Sequence, residues 1–237
     1  MIDLHTHTDQ SDGTVAPAQL VQNALDLELE ALGITDHDLL AGYDLAAPVA
    51  AQKGLELICG IELSTRLAPK NPGVRLSSVH LLGYFLEEPP SAEFRQWLRS
   101  HQESRRQRNR DLIAKLQSLG VDITLEEVQA FGRNLTGRPH FAQILLKKGY
   151  VSSMQEAFDV YLADWAKAAV DREEPTLLEA VGRVREGGGL PSLAHPVRLP
   201  CGRDAEELKA LVGQLVNAGL QGIEVYHSEQ GPAEIEL

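Results

Sequence analysis

Two histidines one residue apart, on a segment patterned like a strand, constrain this chain more than any other feature. Ile2, Leu4 and Thr6 alternate with Asp3, His5 and His7, the period-two pattern of a β-strand. Residues two apart on a strand point to one side, so His5 and His7 send their rings into one volume. Asp12 follows in a Ser-Asp-Gly turn, which can return its carboxylate to the same place. Two imidazoles and a carboxylate at the C-terminal end of a strand make a metal nest in chemical terms. A bare His-x-His is as readily a pair of exposed side chains near a terminus, so the other metal-type residues must decide.

The rest of the chain supplies them at regular places. Pro17 stands where a helix would start, and residues 18–29 carry apolar positions at helical spacing. Residues 31–35 read as a short buried strand ending in Asp36-His37-Asp38, and a helix at 45–52 stops at Gly54. Strands at 55–63, carrying Glu62, and at 79–85, carrying His80, are expected to pair across a Pro- and Gly-containing loop at 68–75. Strands alternating with helices indicate βαβ units and a mostly parallel sheet. After Pro89-Pro90 only helices are expected up to about residue 161, the first of them long, charged and dense in arginine (Arg105, Arg106, Arg108, Arg110). Capping signals at Thr124 and Ser153 open two more, and Gly137-Arg138-Pro139-His140 leads another. This predicts an all-helical insertion, 91–169, set over a βα domain made of 1–90 and 170–237. The βα pattern returns with a helix from Thr176, a strand at 190–194 delivering His195, a helix from Asp204 to Gly219, a strand at 222–226 delivering His227, and a last helix start at Pro232.

Composition narrows the partners. The 237 residues suffice for one large α/β domain or a domain with an insertion. A formal net charge of −12 excludes a general basic surface for nucleic acid, so no stable nucleic-acid complex is expected. A phosphorylated substrate would need cations supplied locally, by metals and a few arginines. No apolar run could cross a bilayer, no basic-then-apolar leader precedes the first strand, and Cys59 and Cys201 are too few for a disulfide framework. A reduced, cytoplasmic setting away from membranes fits these features.

His5, His7, His37, His80, His195 and His227, six of the eight histidines, end a predicted strand or lie on one. In parallel α/β folds those ends gather at one face, where active sites form. With Asp12 and Glu62 the set holds imidazoles and carboxylates and no thiolate cluster, which suits Mn, Fe or Zn. More ligands than one ion needs implies two or more ions sharing a bridging carboxylate, for which Glu62 is the candidate. Such sites suit phosphoester hydrolysis, because the ions lower the pKa of water and clamp phosphate oxygens. The arginine run 105–110 reads as a solvated helix face.

His5-x-His7, Asp12-Gly13, Gly33-Ile34-Thr35-Asp36-His37-Asp38, Gly60-Ile61-Glu62, His80 and Ala194-His195-Pro196 together resemble the PHP (polymerase and histidinol phosphatase) family. Gly137-Arg138-Pro139-His140 resembles an element of its nucleotide-phosphatase and 5′-exoribonuclease branch. The resemblance covers essentially the whole chain. It implies an α/β fold, a distorted (β/α) barrel with a helical insertion, and two or three divalent metals (Mn, Fe or Zn) held by His5, His7, Asp12, His37, Glu62, His80 and His195. It also implies that Arg133, Arg138 and His140 hold substrate phosphate from the insertion. Asp36, Arg138 and His140 are the catalytic candidates, and Asp36 or Asp38 could orient a metal-bound histidine. The family's closing Asp-x-His pair has no counterpart after His195, so the last βα elements are expected to be missing, with His227 as a possible substitute ligand. The implied activity is hydrolysis of nucleotide phosphate esters, either a 3′,5′-bisphosphonucleotide or short 5′-phosphorylated RNA trimmed from its 5′ end. A histidinol-phosphate-type phosphatase and an inactive nucleotide-binding form remain as alternatives. An amidohydrolase fits less well, since no lysine suited to bridging two ions ends a strand.

Overall fold

Six strands lie side by side in the order in which they occur along the chain: β1 (Ile2–Thr6), β2 (Ala31–Ile34), β3 (Glu56–Leu67), β4 (Ser77–Phe85), β5 (Leu190–Leu193) and β6 (Gly222–Ile223). They belong to a computed structural model that describes residues 1–67, 77–131 and 134–236. The loop at 68–75 and Arg133 lie outside the described residues. β1, β2 and β3 run parallel, joined by helices α1 (Pro17–Asp26) and α2 (Ala41–Lys53). β3 and β4 pair antiparallel over nine residue pairs, from Cys59↔Phe85 to Leu67↔Ser77. β5 runs antiparallel to β4 and parallel to β6.

Between β4 and β5 come α3 (Ala92–Ser118), α4 (Leu125–Gln129), α5 (Arg138–Lys147), α6 (Met154–Ala157), a π-helical turn at Phe158–Leu162, and α7 (Leu177–Glu186). α8 (Ala205–Ala218) joins β5 to β6, and α9 (Pro232–Glu236) follows. The helix starts are set by side-chain caps. Ser91, Ser153, Thr176 and Asp204 each accept the backbone N–H three residues on, and Thr124 with Glu127 completes a reciprocal capping box.

Three apolar clusters hold these layers. Val21 and Ala46 of α1 and α2 pack against Leu32 and Ile34 of β2. Val181 and Val184 of α7 and Leu215 of α8 pack against Ile61, Leu81 and Leu193. The helical segment has a cluster of its own around Leu116, Ile123, Phe141, Leu145 and Leu162. α3 joins two of the clusters: Phe94 and Leu98 belong to the sheet's core, and Leu112 and Leu116 to the helical one. A buried side chain of this size contributes about 1.5–3 kcal/mol, so α3 ties the helical segment firmly to the sheet.

The barrel expected from sequence is a curled half-barrel. Among the described residues no ladder joins β1 to β6. The last strand stops at Ile223 rather than at residue 226. β1 is an edge strand, with Ile2 57% exposed, so its alternation marks two faces without burying one. No helix among the described residues is long and apolar enough to cross a membrane.

Candidate metal centre

The strands deliver their histidines to one point. His5 lies on β1 and His7 just beyond it, their ring centroids 5.3 Å apart. His37 follows β2, His80 is on β4, and His195 follows β5. All five surround Glu62 of β3, which is 2% exposed. Its Oε1 lies 2.8 Å from His80 Nδ1 and 2.8 Å from His195 Nε2. Its Oε2 lies 3.3 Å from His5 Nε2, 3.0 Å from His7 Nε2 and 3.4 Å from His37 Nδ1. The two oxygens thus divide the rings into a pair and a trio. Asp12 reaches in beside them, 3.2 Å from His7 Nδ1 and 3.5 Å from His37 Nε2.

Local sequence explains why Asp12 arrives there. The turn after β1 is folded around Asp36, whose carboxylate accepts from the Thr8 backbone N–H (2.7 Å), the Thr8 hydroxyl (2.6 Å) and the Ser11 hydroxyl (2.6 Å). Gly13 is required in that turn, since a Cβ there would lie 2.3 Å from the His7 carbonyl oxygen. Gly42 is required on the other side, where a Cβ would lie 1.9 Å from Asp36 Oδ2. Asp36 therefore holds the turn that carries Asp12. Asp38, the other candidate for orienting a histidine, instead accepts from the Ser64 backbone N–H (2.7 Å) and pairs with Arg105.

The electrostatics suit cations. Burial opposes charge on His5, but hydrogen bonds to Glu224 and Glu62 raise it to about 9. His7 is likewise raised to about 10 against its burial, by Asp12 and Glu62. Burial would raise the carboxyls of Asp12 and Glu62, yet the imidazoles around them hold both well below the usual range. Without other cations, protons on imidazole must neutralise the buried carboxylates. His37 Nδ1 is buried and has no hydrogen-bond partner, so at least one ring nitrogen is left for a ligand. Three overlapping groups, His5/His7/Glu62, His7/Asp12/His37 and His37/Glu62/His80, each bring three donor atoms within 4.8 Å. The donor set, nitrogen and carboxylate oxygen with no thiolate, fits divalent Mn, Fe or Zn.

A pH dependence follows for chelator-treated protein. His5 and His7 have folded pKa values raised above 6.5. Their contribution to stability is fully present below about pH 6.5 and is lost as pH rises through about 9–10. Thermal unfolding with chelator present should show a falling midpoint across that window. A midpoint flat from pH 6.5 to 10 would refute it.

Beside the cluster lies a cavity of about 310 Å³, lined in part by Asp12, His37 and His80 and roofed by the helical segment through Arg105, Arg108 and Arg138. The solvated arginine face expected on α3 is half right: Arg106 and Arg110 are exposed, but Arg105 and Arg108 are 7% and 5% exposed and line this cavity. Arg138, on the first turn of α5, bonds Asp164 at 2.5 Å. His140 is buried behind it, its Nδ1 accepting the Gly137 N–H at 2.9 Å. Two residues absent from the sequence-based expectations join the site. Arg172, 4% exposed at its side chain, pairs with Asp38 and Glu174. Glu224, just past β6, lies 2.8 Å from His5 Nδ1 and accepts the His195 N–H at 2.6 Å. His227 has its ring centroid 5.3 Å from that of His195, at the margin of the cluster, and belongs to none of the three groups.

A family model described as the PHP domain matches residues 3–171. Over 226 residues the chain is 31% identical to a 3′,5′-nucleoside bisphosphate phosphatase of Chromobacterium violaceum, covering 94% of this chain and 76% of that protein. It is 32% identical to the 5′-3′ exoribonuclease Rnm of Escherichia coli, covering 98% of this chain and 77% of the relative. Among solved structures, a protein of Bifidobacterium adolescentis described as a metal-dependent phosphoesterase superposes with a TM-score of 0.82 at 28% identity, covering 99% of this chain and 80% of that one.

Proposed function

Because the chain belongs to the PHP domain family and is a metal-dependent phosphoesterase, we propose that it acts on nucleotides carrying a second phosphate close to the one attacked. The substrates are 3′,5′-bisphosphonucleotides and short 5′-phosphorylated RNA. The names of the relatives in Chromobacterium violaceum and Escherichia coli support the nucleotide class. One observation of this chain carries the finer reading. Five arginines line the cavity among the described residues: Arg105 and Arg172 pair with Asp38, Arg172 also with Glu174, Arg138 with Asp164 and Arg198 with Glu229, while Arg108 forms no ion pair among the described residues. The uncompensated charge of Arg108 is buried and stands beside the metal-type cluster. A phosphate dianion bound there would neutralise it, while a second phosphate rests on the cluster.

On this reading residues 1–90 and 170–237 hold the ions, and 91–169 hold the substrate. His5, His7, Asp12, His37, Glu62, His80 and His195 are the ligands of two or three ions, which when bound activate water and neutralise phosphate charge. Arg105, Arg108 and Arg138 orient the substrate by charge-assisted hydrogen bonds to its other phosphate; Arg133 joins them on the sequence resemblance alone. His140 is kept neutral by burial, and its Nδ1 is occupied as an acceptor. Its Nε2 therefore carries the proton. As water adds to phosphorus and the ester P–O bond breaks, the neutral His140 donates a hydrogen bond from Nε2–H to a phosphate oxygen, and the leaving oxygen takes its proton from solvent. Asp36 acts at one remove, by fixing the turn that presents Asp12.

The test is release of phosphate, or of mononucleotide from RNA, with Mn from a panel: a 3′,5′-bisphosphonucleotide, the matching 5′-monophosphate, a 5′-phosphorylated tetraribonucleotide and histidinol phosphate. The bisphosphate and the tetranucleotide should be turned over with kcat/KM at least about tenfold above the other two. Equal rates on the monophosphate, or a preference for histidinol phosphate, would reject the reading.

A further inference from the structure

We propose that Glu224 is a positioning residue of the metal centre, which orients His5 from outside the cluster and straps the two edges of the half-barrel together across it. The proposal rests on the metal-centre reading above and extends it to a residue outside the metal-type groups.

Glu224 directly follows β6, and His5 is on β1, so the two residues come from opposite edges of a sheet whose order runs β1 to β6. No ladder joins those edges among the described residues. One carboxylate oxygen crosses to the far edge and the other turns back to the end of β5, next to β6. Oε1 stands 2.8 Å from His5 Nδ1, and Oε2 accepts the His195 backbone N–H at 2.6 Å. The second bond bears on a strained residue. His195 has φ 24° and ψ 70°, a conformation that an L residue keeps only when its surroundings impose it. One side chain thus fixes the ring direction of one cluster histidine and the backbone of another.

The tautomer follows from the bond. With Nδ1–H donated to Glu224, the lone pair of His5 sits on Nε2, which faces Glu62 Oε2 at 3.3 Å within the His5/His7/Glu62 group. A carboxylate behind a metal-binding imidazole is the usual device for holding the ring and raising its basicity. Glutamine cannot replace it. Two N–H donors, one from β1 and one from the turn after β5, need two acceptor oxygens, and an amide offers one, turning an NH2 group toward the other donor.

The role predicts a selective defect. Glu224→Gln and Glu224→Ala should weaken Mn binding at the His5/His7/Glu62 site by about 10–100-fold. Binding at the site built on His7, Asp12 and His37 should stay within about twofold of the native value. Calorimetric titration of the whole chain with Mn, together with elemental analysis after desalting, reads this as one ion fewer retained than by the native protein. Circular dichroism and thermal unfolding in chelator check the fold, and the glutamine variant, equal in size, guards against collapse of the alanine one. Native-like stoichiometry and affinities in Glu224→Gln would overturn the proposal. So would a uniform loss at every site that tracks a lower chelator midpoint, since that marks a strut and not a positioning residue. A native chain that takes up no Mn would overturn the metal-centre reading itself, an outcome visible before any variant is made.

Discussion

Glu62→Gln should lower kcat/KM for phosphoester hydrolysis by at least about 10³-fold and remove most of the thermal stabilisation that Mn gives the native chain. The first figure follows from several kcal/mol of transition-state charge stabilisation by the ions, about 4 kcal/mol being a factor near 10³. The geometry says why one atom matters so much. Oε1 of Glu62 faces His80 and His195, while Oε2 faces His5, His7 and His37. Each oxygen can therefore serve a different ion, and an amide keeps only one of the two while placing N–H donors where a cation should bind. For the second figure, Mn at 100 times its Kd stabilises the folded state by about 2.7 kcal/mol. In a domain of this size that raises the midpoint by about 5–10 °C. The variant should gain less than half as much under the same conditions. Full turnover, or an undiminished shift with Mn, would mean that Glu62 is a structural acid whose charge the surrounding histidines balance with protons.

The convergence behind that prediction was legible from particular residues. His5, His7, His37, Glu62, His80 and His195 lie on a strand or just beyond one, and strand ends of an α/β sheet meet at one face whatever the connecting helices do. The same rule would have found Glu224 had the last strand been drawn as short as it is. A strand over 222–226 puts Glu224 mid-strand rather than at a strand end. Its bond to His5 depends on how far the sheet curls, which no local pattern encodes. Curling also decides between a half-barrel and a closed one, and it depends on side chains more than 200 residues apart in sequence, such as His5 and Glu224. The burial of Arg105 and Arg108 did leave a local trace. Spaced three apart on α3, they share a face, and Arg106 and Arg110, four apart, share another. Four arginines in six residues outweighed that signal, because arginine is rarely buried unless paired.

Arg108 is the side chain on which binding and stability should move in opposite directions. It is 5% exposed, its one described hydrogen bond runs from Nε to Asn109 Oδ1 at 3.1 Å, and it forms no ion pair among the described residues. Burial, together with the positive charges of Arg105, Arg138 and Arg172, pulls its pKa well down. A guanidinium so placed destabilises the empty protein, and the cavity beside it is where an anion would relieve the strain. Arg108→Met keeps an apolar stem and removes the charge. It should raise the unfolding midpoint in the absence of phosphate, as removal of an uncompensated buried charge does. KM for a 3′,5′-bisphosphonucleotide should rise about 10–150-fold, the equivalent of one charge-assisted hydrogen bond of about 1.5–3 kcal/mol. KM for a 5′-monophosphate should change by less than about threefold, because that substrate leaves the arginine pocket empty. Steady-state kinetics on the two substrates and a thermal melt suffice. A stability gain with KM for the bisphosphate unchanged would leave Arg108 as buried strain unconnected to the substrate, and the second-phosphate pocket would have to be sought elsewhere.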